Sequence, residues 1–65
     1  MKKENILKSK FLKIYAKIPD RVRSEEIIVI IDNRPYTWDN ASLEVKNDSN
    51  VGIKILETLK KMGIL

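Results

Sequence analysis

Apolar residues near the N-terminus recur at spacings of three and four, which lines one face of a helix. They are Leu7, Phe11, Ile14, Tyr15 and Ile18. The pattern predicts a helix from Glu4 to Lys17. Pro19 ends it, because the proline ring disfavours helical geometry at the preceding residue and removes a backbone donor. Residues 19–24 then form a connector with room for one short turn.

A run of five β-branched residues follows, from Ile27 to Ile31. Their stiff side chains favour a strand. Residues 32–35, Asp-Asn-Arg-Pro, have the composition of a turn, since Asn tolerates left-handed geometry and Pro is compatible with the start of an edge strand. Residues 36–38 are predicted to form a short second strand, antiparallel to the first.

The segment 41–46 alternates between apolar and polar side chains. Its apolar members are Ala41, Leu43 and Val45, and its polar members are Ser42, Glu44 and Lys46. A period of two is typical of a strand with one buried face. A third strand is therefore predicted, after a turn at residues 39–40.

The C-terminal segment has the punctuation of a helix. Its start has three candidate caps, Asp48, Ser49 and Asn50, and its predicted buried stripe is Ile55, Leu56, Leu59 and Met62. Lys60 and Lys61 favour the negative end of the helix dipole. Gly63 is suited to the left-handed position that follows, with Ile64 folding back on Leu59 as in a Schellman motif.

Together these patterns predict an α+β fold in the order helix, three-stranded antiparallel sheet, helix (α-β-β-β-α), as one small domain over residues 1–65. The strand 27–31 does not alternate, so both of its faces are expected to be covered. Either the two helices lie on opposite faces of the sheet, or both lie on one face and a second copy of the chain covers the other. The second arrangement is preferred, because three short strands and two helices make a thin core. The sequence therefore predicts a homodimer.

Composition restricts the chemistry that these 65 residues offer. The chain has no cysteine and no histidine, which excludes disulfides, a conventional structural zinc site and the familiar nucleophile and base pairs of hydrolases. No cofactor, metal or catalytic residue is predicted. The interpretation is a non-catalytic, self-associating binding or structural module.

One stretch leaves an enzymatic alternative open. In "SLEVKND", Glu44 and Lys46 flank a valine, as in the Glu-x-Lys of metal-dependent nucleases with a PD-(D/E)xK core, and Asp32 follows an earlier strand. The solvated face of a strand gives the same spacing, and the chain has little room for the larger sheet of that family. The nuclease is the least favoured hypothesis.

A nucleic-acid-binding alternative rests on charge, since the chain has a net charge of +4. Basic side chains on one face neutralise phosphates, and exposed aromatic rings stack on bases. The candidate contacts are Lys10, Lys13, Lys17, Arg21, Arg23, Arg34, Tyr36 and Trp38. The competing interpretation makes Trp38 the largest side chain of the core.

No apolar run is long enough to cross a membrane, and the N-terminus lacks the apolar centre of a signal peptide, so a cytoplasmic location is expected. Four stretches, "FLKIYAKIP", "EEIIVIIDNRPYTW", "SLEVKND" and "ILETLKKMGIL", resemble a set of small archaeal proteins of unassigned function. The resemblance spans nearly the whole chain and implies a single compact domain. It implies no activity.

Overall fold

Four helices and one hairpin form the part of the chain that the computed structural model describes, which is the backbone of residues 3–65 and the side chains of residues 6–65. In chain order, the elements are α1 (Lys3–Lys17), α2 (Asp20–Glu25), β1 (Ile27–Ile31), β2 (Arg34–Thr37), α3 (Trp38–Lys46) and α4 (Asn50–Lys61). The predicted α-β-β-β-α order is therefore wrong. The sheet has two antiparallel strands, not three, within a small α+β fold.

The first helix ends where the proline predicts. α1 stops at Lys17, and Pro19 takes the N-cap position of α2 with extended backbone geometry (φ −60°, ψ 147°). The predicted connector is thus largely a six-residue helix. An acidic residue in its first turn, Asp20, and a basic one in its last turn, Arg23, both favour the helix dipole.

A two-residue turn joins β1 to β2. Asp32 and Asn33 both have positive φ, 51° and 69°, which is the backbone of a type I′ hairpin turn. The strands pair with Ile31 opposite Arg34 and Ile30 opposite Pro35. Further along, the register shifts between Ile27 and Val29, so β1 contains one extra residue and bulges there.

The predicted third strand is a helix. Thr37 caps α3, because its hydroxyl oxygen accepts a hydrogen bond from the Asn40 N–H at 3.2 Å. The residues that α3 buries are Trp38, Ala41, Ser42 and Val45. Their spacing of three and four is helical, and it extends across the boundary where a turn was predicted. Leu43 belongs to the alternating pattern, yet it is 60% exposed.

The C-terminal helix follows its sequence signals closely. Of the three candidate caps, Ser49 takes the position, and its hydroxyl accepts from the Gly52 N–H at 3.0 Å. Gly63 has φ +83°, and the N–H groups of Gly63 and Ile64 donate to the Lys60 and Leu59 carbonyls, as in a Schellman motif. Met62 is the exception, because it follows the last helical residue and is 55% exposed instead of buried.

Among side chains 6–65, the core is one cluster of ten buried apolar residues: Leu7, Phe11, Val29, Ile31, Trp38, Ala41, Val45, Ile55, Leu56 and Leu59. α1, α3, α4 and β1 all contribute to it. The hairpin lies over this cluster with one face only, since Val29 and Ile31 are buried. Ile27 and Ile30 are 56% and 65% exposed, so the fold of a single chain covers only one face of β1 and does not place helices on both faces.

Candidate interaction surfaces

An apolar depression runs along β1 beside the end of α4. It is lined by Ile27, Ile28, Val29, Ile30, Thr58 and Met62, and is called the β1 groove below. Because α4 packs against β1, its C-terminal residues border the strand. Three of the lining side chains, Ile27, Ile30 and Met62, are more than half exposed. A cluster of large exposed apolar side chains on a small protein marks an interaction site.

The backbone of β1 adds polar groups to this surface. In a two-residue hairpin the residues next to the turn, here Ile31 and Arg34, form a hydrogen-bonded pair. Pairs alternate, so Ile30 and Pro35 are a non-hydrogen-bonded pair, and the N–H and C=O of Ile30 point away from β2. Among the hydrogen bonds of turns, loops and caps in the described chain, none involves Ile30. The outer edge of β1 is therefore an open strand edge.

The basic candidate residues separate into groups. Lys10, Lys13 and Lys17 lie on α1 at spacings of three and four, so they project from one side of the helix. All three are exposed, and no carboxylate among the described side chains lies within ion-pair distance of them. This set is called the lysine stripe below.

The two arginines of α2 have acidic neighbours on their own helix. Arg21 lies 3.8 Å from Glu25, and Arg23 pairs with Asp20. Arg23 also lies over the ring of Tyr15, with its guanidinium carbon 4.8 Å from the ring centre. These contacts reduce the charge that either arginine offers to an external anion.

Arg34 and Tyr36 lie elsewhere, on β2. Together with Pro35, Asn40, Leu43 and Glu44 they line an open depression between β2 and α3. The carboxylate of Glu44 in the same depression works against binding of an anion there. Arg34 and Tyr36 therefore belong to a different surface from the lysine stripe.

Trp38 lies in the core and is 6% exposed. Its ring centre lies 5.6 Å from that of Phe11, and its Nε1–H donates to Glu26 at 3.4 Å. A ring in this position has no free face on which a base could stack. Trp38 is therefore a core side chain and not a stacking platform.

The residues of the nuclease hypothesis do not assemble. Glu44 and Lys46 lie on α3, where two residues span about 200° of the helix, so the side chains point to different sides. Glu44 accepts a hydrogen bond from the Ser49 hydroxyl at 2.6 Å, and Asp32 pairs with Lys54 at 3.1 Å. Within the described residues, no group of three or more acidic side chains is arranged to share a metal ion.

A polar cluster around Tyr15 was not anticipated from the sequence. The Tyr15 hydroxyl donates to Asp39 at 2.6 Å, and the Lys46 ammonium lies 5.6 Å from the ring centre, on the same ring that Arg23 contacts. Tyr15 was assigned to the apolar stripe of α1, and it does pack near Phe11. The cluster joins α1 to α2 and α3 and has a structural role.

Searches against protein-family models, curated proteins and solved structures found no match. The resemblance to small archaeal proteins stays a prediction. None of the helices in residues 3–65 has both the length and the apolar character needed to cross a bilayer.

Proposed function

We propose that this protein is a self-associating interaction module whose binding surface is the β1 groove. The observation that carries the proposal is the exposure of Ile27, Ile30 and Met62 side by side. Transferring the exposed half of such a side chain out of water contributes about 1 kcal/mol. A partner that covers the groove gains this energy from several side chains together.

The size of the protein favours a second copy as the partner. With ten buried apolar residues among those that the structure describes, the fold is near the limit at which one hydrophobic core offsets the entropy of ordering the chain. Two-fold homodimers are the commonest assemblies, and they pair the same patch on both subunits. The β1 groove is lined by apolar side chains and one threonine, so it carries no charge to repel its copy.

The module is proposed to act by binding and without catalysis. Cysteine and histidine are absent from the chain, and the Glu-x-Lys pair lies on a helix instead of a strand. A cytosolic location is part of the same proposal.

Sedimentation equilibrium of the unmodified chain tests self-association. We expect the weight-average mass to rise from that of one chain, 7.6 kDa, toward twice this value as concentration increases. A range from about 10 µM to about 1 mM covers the affinities of small interfaces. A mass of one chain throughout that range would contradict the proposal.

The lysine stripe supports a second candidate function, binding of a polyanion such as single-stranded nucleic acid. Three exposed ammonium groups on one side of α1 are placed to neutralise successive phosphates with release of counterions. Tyr36 remains available as an aromatic contact in this proposal, whereas Trp38 does not.

Fluorescence anisotropy with labelled oligonucleotides tests this second function. If the stripe makes three phosphate contacts, log K against log salt has a slope of about −2 for a single strand. The variant Lys10→Gln/Lys13→Gln/Lys17→Gln is expected to lose binding. The variant Lys54→Gln/Lys60→Gln/Lys61→Gln removes the same charge from α4 and should keep it. Equal loss in both variants would assign any binding to net charge, and absence of binding at low salt would refute it.

A further inference from the structure

The two strands of the hairpin differ in how their outer edges are protected. Pro35 lies opposite Ile30 in a non-hydrogen-bonded pair, so its nitrogen faces away from β1, toward the outer edge of β2. A proline nitrogen carries no hydrogen, so a strand that approached β2 would miss a donor at this position. Arg34 adds a charge to the same edge. These are the devices by which natural proteins block an edge strand.

The outer edge of β1 has no comparable protection. All five of its side chains are apolar and β-branched, none is charged, and none is proline. The N–H and C=O of Ile30 point outward from this edge, as the register requires. The only irregularity is the bulge between Ile27 and Val29, which leaves residues 29–31 as the regular part of the edge. Any strand that joins this sheet therefore joins at β1.

The sequence of β1 points to its own copy as that strand. Antiparallel pairing of residues 29–31 about a two-fold axis at Ile30 places Ile30 opposite its own copy and Val29 opposite Ile31, and the outward N–H and C=O of Ile30 then bond to those of Ile30 in the second chain. Cross-strand pairs of branched apolar side chains stabilise sheets. No charged side chain lies on either strand, so the pairing places no like charges opposite each other.

We propose that two copies pair through the outer edges of β1 and form a four-stranded antiparallel sheet in the order β2-β1-β1-β2. This inference rests on the proposed self-association and specifies its geometry. In the pair, the added strand lies along the β1 groove beside Thr58 and Met62. The blocked edges of β2 then terminate the sheet on both sides, so assembly stops at two copies.

The size of the contact sets the expected affinity. A standard stable interface hides about 800 Å² on each partner, roughly a sixth of this protein's 4558 Å² of accessible surface. One short strand edge with its groove lies at or below that size. The dimer is therefore expected to dissociate reversibly, with a dissociation constant in the micromolar range, on the order of 1–100 µM.

Amide hydrogen exchange of the unmodified chain, followed by NMR at several protein concentrations, tests the geometry. Val29 serves as the internal reference, because its amide is in a hydrogen-bonded pair with Tyr36 inside each hairpin and is protected at every concentration. The Ile30 amide is expected to exchange fast at the lowest concentration. Its protection should rise at least tenfold as the dimer forms.

The outcomes separate the two proposals. Dimerisation with rising protection at Ile30 supports edge pairing. Dimerisation in which the Ile30 amide continues to exchange fast overturns edge pairing and leaves self-association through the apolar face of the hairpin. A chain that stays monomeric while Ile30 exchanges fast overturns both.

Discussion

Gly52 lies where the close packing of two helices leaves no room for a side chain. A Cβ at this position would lie 2.4 Å from the Glu44 carbonyl oxygen and 3.0 Å from the Val45 nitrogen. Both are backbone atoms of α3, so neither can turn aside. The absence of a side chain lets the start of α4 approach the end of α3, and the Gly52 N–H binds the Ser49 cap.

Replacing this glycine tests that close approach. In a free helix Gly→Ala stabilises by about 1 kcal/mol, but Gly52→Ala is expected to lower the free energy of unfolding by about 1–3 kcal/mol through overpacking. Gly63→Ala is the matched control, because no atom lies within 4 Å of its Cβ and only the positive φ is strained. It should cost about 1 kcal/mol. Urea denaturation of both variants gives the comparison, and a stabilised Gly52→Ala would refute the packing.

At the scale of the residue, local backbone chemistry was predictable and long-range polar contacts were not. The αL position of Gly63 and the cap among residues 48–50 follow from bonds between near neighbours in sequence. The bond from Tyr15 to Asp39 joins residues 24 apart, and its partners carry no sequence signal of their own. The burial of Trp38, by contrast, was weighed from its size alone.

At the scale of the element, α3 is where the sequence misleads. The alternation of Ala41, Leu43 and Val45 fits a strand, while Trp38, Ala41 and Val45 fit a helix equally well. The N-cap at Thr37 decides in favour of the helix. A threonine three residues before Asn40 is the sequence signal for this helix start, and the strand prediction overlooks it. The turn that Asp39 and Asn40 suggest interrupts this longer helical pattern in the sequence.

Two alanine substitutions distinguish the helix from the predicted strand. Val45→Ala empties part of the core, because Val45 is 1% exposed, and it is expected to cost about 2 kcal/mol. Leu43→Ala removes more atoms from an exposed site and should change the free energy of unfolding by less than about 0.5 kcal/mol. Thermal or urea unfolding measures both. A large loss from Leu43→Ala would mean that both residues face the core, as in a strand.

The other elements follow from signals that act within a few residues. Pro19 ends α1, and the β-branched run forms β1. The composition of residues 32–35 predicted a turn, and its positive-φ part is the pair Asp32 and Asn33. How many faces of β1 are covered was not predictable in this way, because that depends on tertiary packing. The continuous apolar run predicts two covered faces, of which the fold of a single chain covers one. Cover of the other face by a second copy stays a prediction.

At the scale of the whole molecule, the exposed apolar face of β1 and the positive charges of α1 lie on different surfaces. Apolar side chains gather along β1 and the end of α4, whereas the lysine stripe lies on α1. The apolar run of β1 and the lysines of α1 are both visible in the sequence. The sequence could not place Thr58 and Met62 beside β1, since that contact joins elements about 30 residues apart, nor could it separate Arg34 and Tyr36 from the lysines.

Two lysine substitutions, compared by sedimentation equilibrium, test whether β1 carries the self-association. Ile30 and Leu43 have similar exposed fractions, 65% and 60%, so Ile30→Lys and Leu43→Lys should leave the isolated fold equally stable. A charge at an open strand edge prevents pairing. We therefore predict that Ile30→Lys raises the dimer dissociation constant at least tenfold, which corresponds to about 1.4 kcal/mol, and that Leu43→Lys leaves it unchanged. Equal dissociation constants for the two variants would contradict the assignment of self-association to β1.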